Sequence, residues 1–160
     1  MNLLQNTQEK LKVVLFEPQI PQNAGNIVRT CAVTGTDLIL VKPLGFQTSD
    51  RMLKRAGLDY WGGVNVSFLD DLFVFLNNTT TNFYFFSSHA KKNYSQTNYK
   101  PNDLLIFGSE TTGLPALYHK TWAERFLTIP MKAESRCLNL SNAVSIVLYE
   151  ALRQNGFPNM

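Results

Sequence analysis

Four short runs in this chain are apolar at consecutive positions, and a fifth nearly so. They are KVVLFE (residues 12–17), DLILVK (37–42), NFYFFSS (82–88), DLLIFG (103–108) and FLTIP (126–130). A strand that is apolar on both faces has to be covered on both faces. The usual cover is a pair of helical layers formed by the connections between parallel strands. Segments with helical spacing do separate the runs. Asn26 precedes Ile27, Val28, Cys31 and Ala32, a face that ends at Gly35, while Pro18, Pro21 and Gly25 mark a loop before it. Residues 51–56 and 69–76 read as helices, VNVSF (64–68) alternates as a further strand, and residues 115–122 suit one or two helical turns. The expected fold class is α/β, a mainly parallel sheet flanked by helices. In such sheets ligands sit where strands deliver their carboxyl ends into loops, here the loops after Glu17, Ser87, Gly108 and Pro130.

The last quarter of the chain carries the clearest helix. Val144, Val147, Leu148, Ala151 and Leu152 form one apolar stripe; Ser141 or Asn142 can cap its start, Gly156 suits a left-handed end and Pro158 stops it. The segment feeding it, residues 131–140, mixes Lys132, Glu134, Ser135 and Arg136 with Leu138 and Leu140. A polar loop entering a helix N-terminus offers N–H groups to a ligand. A well-capped connector explains the same residues equally well.

Composition narrows the function classes. At 160 residues, 44% hydrophobic and 17% charged, the chain is expected to be one soluble domain over 1–160, with a short polar extension over 1–12. No apolar run approaches a membrane span, and residues 1–12 lack a signal-peptide core. Cys31 and Cys137 stand far apart, and with only His89 and His119 besides, no thiolate or histidine metal site is expected. A net charge of +3 is compatible with RNA binding without arguing for it. Dinucleotide, P-loop, serine-hydrolase-elbow and zinc-protease signatures are absent from the sequence.

The loops hold the polar residues that could do chemistry. In the first, Asn23, Gly25 and Asn26 are turn and cap residues, whereas Arg29 points away from the Ile27/Cys31 face, toward solvent or a ligand. A guanidinium is the best side chain for a phosphate fork. In LLIFGSETTGLP, Gly108 permits close backbone approach and Glu110 sits in a turn closed by Gly113 and Pro115. Two patches fit nucleic acid as well as a solvated surface. Arg51, Lys54 and Arg55 share one helical face ahead of Tyr60 and Trp61, and Lys91, Lys92, Tyr94, Tyr99 and Lys100 interleave cations with rings. The two histidines read as ordinary loop residues, and the Phe83 to Phe86 run as core.

Three blocks, taken together, resemble a known family: N-x-G-N-x-x-R at residues 23–29, F-G-S-E-x-x-G at 107–113, and I-P-M followed by S-R-x-L-N-L-S-N-A at 129–143. The chain is similar to the SpoU branch of the SPOUT RNA methyltransferases, and within it to the small TrmL/YibK-like tRNA (cytidine/uridine) 2′-O-methyltransferases. The similarity runs over residues 13–158 and includes R-x-x-K-x-A-G-L-D-Y at Arg51, Lys54 and on to Tyr60. It implies a C-terminal trefoil knot, S-adenosylmethionine held in the knot loops without metal, a cytoplasmic homodimer, and tRNA as partner. By the same resemblance Phe86, Gly108, Ile129, Met131, Cys137 and Leu138 would contact the cofactor. Asn23, Arg29, Glu110 and Asn139 would stand at the reaction centre; the basic patch of Arg51, Lys54 and Arg55 with Tyr60 is expected to meet the RNA. Cys137 departs from the family's usual serine; a thiol is a poorer donor than a hydroxyl, so a role needing that hydroxyl would weaken while a backbone contact would survive.

The implied reaction is methylation of the wobble ribose 2′-hydroxyl. Other readings are a 2′-O-methyltransferase for another tRNA or rRNA site, a non-catalytic RNA-binding relative, and a flavodoxin-like nucleotide or phosphate binder. A sulfonium methyl is already electrophilic, so the enzyme chiefly has to place the hydroxyl in line. A guanidinium gives up its proton only at great cost, so arginine is a poor base, and Arg29 is expected to act as a fork on the neighbouring phosphate.

Overall fold

The computed structural model describes residues 9–49 and 62–160. In chain order the elements are β1 (Lys12–Phe16), α1 (Pro21–Thr34), β2 (Asp37–Val41), β3 (Val66–Leu69), α2 (Leu72–Asn78), β4 (Phe83–Phe86), β5 (Lys92–Asn93), β6 (Leu104–Phe107), α3 (Ala116–Thr121), β7 (Phe126–Thr128) and α4 (Leu140–Gln154). The strands form one seven-stranded sheet in the order β3-β2-β1-β6-β4-β7-β5, and every pairing is parallel. The α/β expectation holds, and α/β crossovers account for it. The helix expected over residues 51–56 and the basic positions Arg51, Lys54, Arg55 and Tyr60 lie outside the described residues.

Both faces of the sheet are buried, as runs without alternation require. Val13, Leu15, Leu38, Leu40, Leu105 and Phe107 point to one side, against Ile27, Val28 and Cys31 of α1 and Val144, Val147, Leu148, Ala151 and Leu152 of α4. Val14, Phe16, Ile39, Val41, Phe85 and Ile106 point to the other, against Leu72 and Leu76 of α2 and Tyr118 of α3. The second layer is rich in rings: Phe85 lies 4.6 Å from Phe126 in a stacked pair and meets Tyr118 and Trp122. The interior strand β1 pairs Val14 with both Ile39 and Ile106. Leu11, just ahead of it, is already buried, so the core starts within the last residues of the expected extension.

Several boundaries differ from the sequence reading. Helix α1 begins at Pro21, five residues before Asn26, and takes in Asn23 and Gly25 as buried positions. Proline is favoured at the first helical turn, because its missing N–H is one that the helix would leave unpaired. Gly35 ends α1 at φ 68°, as expected. Helix α2 starts at Leu72 rather than Leu69, capped by Asp71, whose side chain accepts from Val74 N at 3.0 Å. Helix α4 is capped by Asn139, not by Ser141 or Asn142. The polar stretch after β4 contains the edge strand β5, which has no apolar signature to announce it.

Candidate active site

The carboxyl ends of β4, β6 and β7 and the N-termini of α1 and α4 open onto one cleft of about 650 Å³. Phe86 ends β4 and stacks on Phe107, the last residue of β6, with ring centroids 4.9 Å apart. These rings floor the cleft. Ile129, Met131, Leu138 and Leu140 add apolar wall from the β7–α4 connection, and Ser87, Ser88, Thr128 and Asn139 add polar edges. Met131 and Leu138 are among the few large apolar side chains left exposed. Apolar walls with a few convergent polar groups are the usual make-up of a small-molecule site.

Gly108 sets the shape of the β6 loop. A Cβ there would lie 2.6 Å from Gly113 C, 2.8 Å from Gly113 Cα and 2.9 Å from Leu114 N, all backbone atoms that cannot swing aside. The loop folds back on itself through paired bonds, Ser109 N–H to Gly113 O at 3.2 Å and Gly113 N–H to Ser109 O at 2.9 Å. Gly113 itself sits at φ 65°, in the left-handed region that favours glycine. This return presents Glu110 toward α1.

The acid then joins the three motif blocks. Glu110 Oε2 accepts from Gln19 N at 2.8 Å; Oε1 accepts from Ile20 N at 3.2 Å and from Asn23 Nδ2 at 3.3 Å. Helix α1 has no side-chain cap of its own at Ile20, so a carboxylate from the loop after β6 receives N–H groups at its entry, where negative charge is favourable. Asn23 Oδ1 accepts from Asn139 Nδ2 at 3.0 Å. Asn139 Oδ1 accepts from Ser141 N at 2.9 Å and Ser141 Oγ at 2.6 Å. A carboxylate can only accept, which fixes the amide of Asn23 with nitrogen toward Glu110 and oxygen toward Asn139. Asn139 is thereby turned with its nitrogen inward and its oxygen on the N-terminus of α4. Both Glu110 oxygens are held by donors, so the arrangement builds a rigid wall rather than an open proton acceptor.

Every residue assigned to the cofactor from the sequence, Phe86, Gly108, Ile129, Met131, Cys137 and Leu138, lines this cleft, as do Asn23, Glu110 and Asn139. Arg29 is the exception. It is exposed on α1 and is not among the residues lining the cleft. It stands six residues beyond Asn23, about 9 Å along the axis and a third of a turn away. Cys137 is exposed, and its Sγ donates to Ser88 Oγ at 3.4 Å. The other cysteine, Cys31, is buried on the sheet-facing side of α1, and burial, with Asp37 nearby, pushes its thiol up to about 12.

Sequence reasoning missed two residues and misread two more. His89 and His119 both line the cleft rather than sitting in unrelated loops. The position of His89 just past β4 was a usable signal; His119 gave none. Tyr99 and Tyr94 do not form a stacking surface. Tyr99 is buried, edge-on to Tyr84, with its hydroxyl donating to Tyr94 O at 2.6 Å. That burial raises its phenol well above the ordinary value.

No group of histidine, cysteine or carboxylate side chains among the described residues is arranged to hold a metal. No helix among them is long and apolar enough to cross a membrane. An Escherichia coli (strain K12) protein named tRNA (cytidine(34)-2′-O)-methyltransferase is 44% identical over 150 residues, covering 92% of this chain and 96% of that one. A solved structure described as giving structural insights into the 2-OH methylation of C/U34 on tRNA superposes with TM-score 0.86 at 40% identity, covering 92% of this chain and 97% of the other. The SpoU methyltransferase AviRb from Streptomyces viridochromogenes, solved in complex with AdoMet, shares the fold at TM-score 0.80 and 23% identity, over 92% of this chain and 58% of that one. A sequence profile of the SpoU rRNA Methylase family matches residues 10–149, and the chain belongs to that family.

Proposed function

We propose that this protein transfers a methyl group from S-adenosylmethionine to the ribose 2′-hydroxyl of the cytidine or uridine at the first anticodon position of tRNA. The observation that carries the reading is the single cleft into which all three motif blocks converge. The chain's likeness to relatives named for that reaction supplies the substrate. The residues present suit the cofactor. Stacked Phe86 and Phe107 with Ile129, Met131 and Leu138 fit a flat base and a poorly hydrated sulfonium, and the cleft volume falls in the range of such sites. When bound, S-adenosylmethionine supplies a methyl already activated by positive sulfur. The apolar walls exclude water where that charge is lost, which favours the transition state. Asn139, locked by Asn23 and by the N-terminus of α4, retains one N–H for substrate.

In this reading Arg29 forks the phosphate next to the reacting ribose and stabilises the alkoxide as the proton departs. Its distance from the Asn23 face means that the RNA or a second copy of the chain must bring it to the reaction. A homodimer working in the cytoplasm, with the C-terminal segment threaded as a trefoil knot, belongs to the same proposal; its support is the family likeness and the placement of β7 between β4 and β5, both earlier in sequence.

The test is transfer of labelled methyl to tRNA lacking ribose methylation, followed by nucleoside mapping. Label at the wobble ribose is expected. Label elsewhere would move the substrate to another RNA site, and cofactor binding without label on tRNA or rRNA would leave a non-catalytic relative. The Arg29→Lys variant should bind cofactor normally and lose most turnover. Near-normal turnover would refute the fork.

A further inference from the structure

Beyond β4 the chain carries cations for which the reaction centre has no use. Lys91 and Lys92 are exposed neighbours, and Lys92 belongs to β5, which is held at the sheet edge by pairing with Leu127 of β7. With His89, His119, Glu124 and Phe126 they line a second cleft of about 580 Å³. His89 and His119 line the first cleft as well, so the two share a wall. The His119 ring is stacked on Phe126 at 4.1 Å, which fixes its plane. Glu124 is the one carboxylate in the lining, and it lies 3.9 Å from Arg125. Neither lysine has an ion-pair partner among the described residues.

Taken together, these observations describe a groove that is cationic, walled by flat rings, and continuous with the site of chemistry. We propose that it is a phosphodiester-binding subsite that takes the backbone of the RNA strand passing out of the first cleft. The inference rests on the RNA methyltransferase reading above. Lysine ammoniums act on phosphate as point charges and carry no base preference. The subsite therefore holds the strand in register, while the histidine rings offer a surface for a ribose or an unstacked base. Of the two tyrosines that a sequence reading would add, Tyr99 is buried and Tyr94 is half-buried against the core, so charge rather than stacking dominates here.

The test compares the unaltered chain with a Lys91→Gln/Lys92→Gln double variant, and with Lys120→Gln, an exposed lysine outside both linings. Affinity for unmodified tRNA is measured across a salt series, alongside S-adenosylhomocysteine affinity and thermal unfolding. In the double variant tRNA binding near 0.1 M salt is expected to weaken about tenfold or more, and the slope of log K against log salt to shrink by about 1.4. Its cofactor affinity and melting temperature should match the unaltered chain, and Lys120→Gln should leave all three readouts in place. Unchanged tRNA affinity and slope in the double variant, with methyl transfer intact in the unaltered chain, overturns the subsite alone. Failure of the unaltered chain to methylate any RNA overturns the underlying reading, and this inference with it.

Discussion

Replacing Glu110 by glutamine separates a structural acceptor from a catalytic base. The carboxylate receives three N–H groups: Gln19 N at 2.8 Å on one oxygen, and Ile20 N and Asn23 Nδ2 at 3.2 and 3.3 Å on the other. A glutamine keeps a single acceptor oxygen, and its NH₂ must face whichever donors that oxygen does not serve. At least one bond to a charged acceptor is lost, each worth about 1.5–3 kcal/mol. The half-exposed entry of α1 lets water recover part of the loss, so we expect about 2 kcal/mol of destabilisation. For a chain of this size that lowers the melting temperature by about 4–8 °C. Because Asn23 then loses its orienting partner, Asn139 turns more freely and S-adenosylhomocysteine affinity falls too. Thermal unfolding, cofactor titration and single-turnover methyl transfer on one preparation would decide it. A normal melting temperature and normal cofactor affinity with transfer abolished would refute this reasoning and make Glu110 a participant in proton transfer.

Other expectations follow from particular atoms. Gly108→Ala should cost about 2–4 kcal/mol, since its Cβ meets only backbone at 2.6–2.9 Å and forces the Ser109–Gly113 return apart; a denaturant midpoint close to the unaltered chain's would contradict that. Toward an aromatic disulfide reagent near pH 8, Cys137 should react in the folded protein, whereas Cys31, buried with its thiol raised to about 12, should react only on unfolding. S-adenosylhomocysteine should slow the Cys137 reaction, and equal rates with and without it would show that Cys137 lies clear of the ligand. Asp103 is fully buried, and desolvation holds its carboxyl above the ordinary value, against the Lys100 N–H that favours its charge. The folded chain thus binds this proton more tightly than the unfolded one, and the stability it lends is present below the ordinary carboxylate pKa and declines as pH rises through the raised one. Asp103→Asn should remove that decline from a stability-versus-pH curve; parallel curves for the two proteins would argue against it.

How much of this was legible in the sequence depended on whether the cause was local. The five apolar runs became β1, β2, β4, β6 and β7 because burial on both faces leaves an unmistakable composition. The stripe of α4 was read residue for residue for the same reason. Strand β5 was not legible. Lys92 and Asn93 hold their place through the edge of β7, and their side chains carry no record of it. The start of α1 was misplaced because Pro21 and Gly25 punctuate equally well outside a helix or inside its first turns. The acceptor at its entry, moreover, lies 90 residues away from Ile20. Tyr99 was misread because its partners, Tyr84 and the Tyr94 carbonyl, are brought to it by tertiary folding. The cleft residues were found through motif blocks, but the bonds linking Asn23, Glu110 and Asn139 span too much chain to be inferred from spacing.

Those bonds also set an order in time. Asn23 leaves the ribosome 116 residues before Asn139, roughly 6–23 s earlier at ordinary elongation rates. Through that interval the entry of α1 lacks first its acceptor and then the partner of its asparagine amide. The cofactor walls from residues 129–140 do not yet exist. A nascent chain can assemble much of its sheet and still have no site to fill. Ligand competence therefore arrives as a late step, with helix α4, and S-adenosylmethionine can stabilise only chains that have been extended as far as that helix.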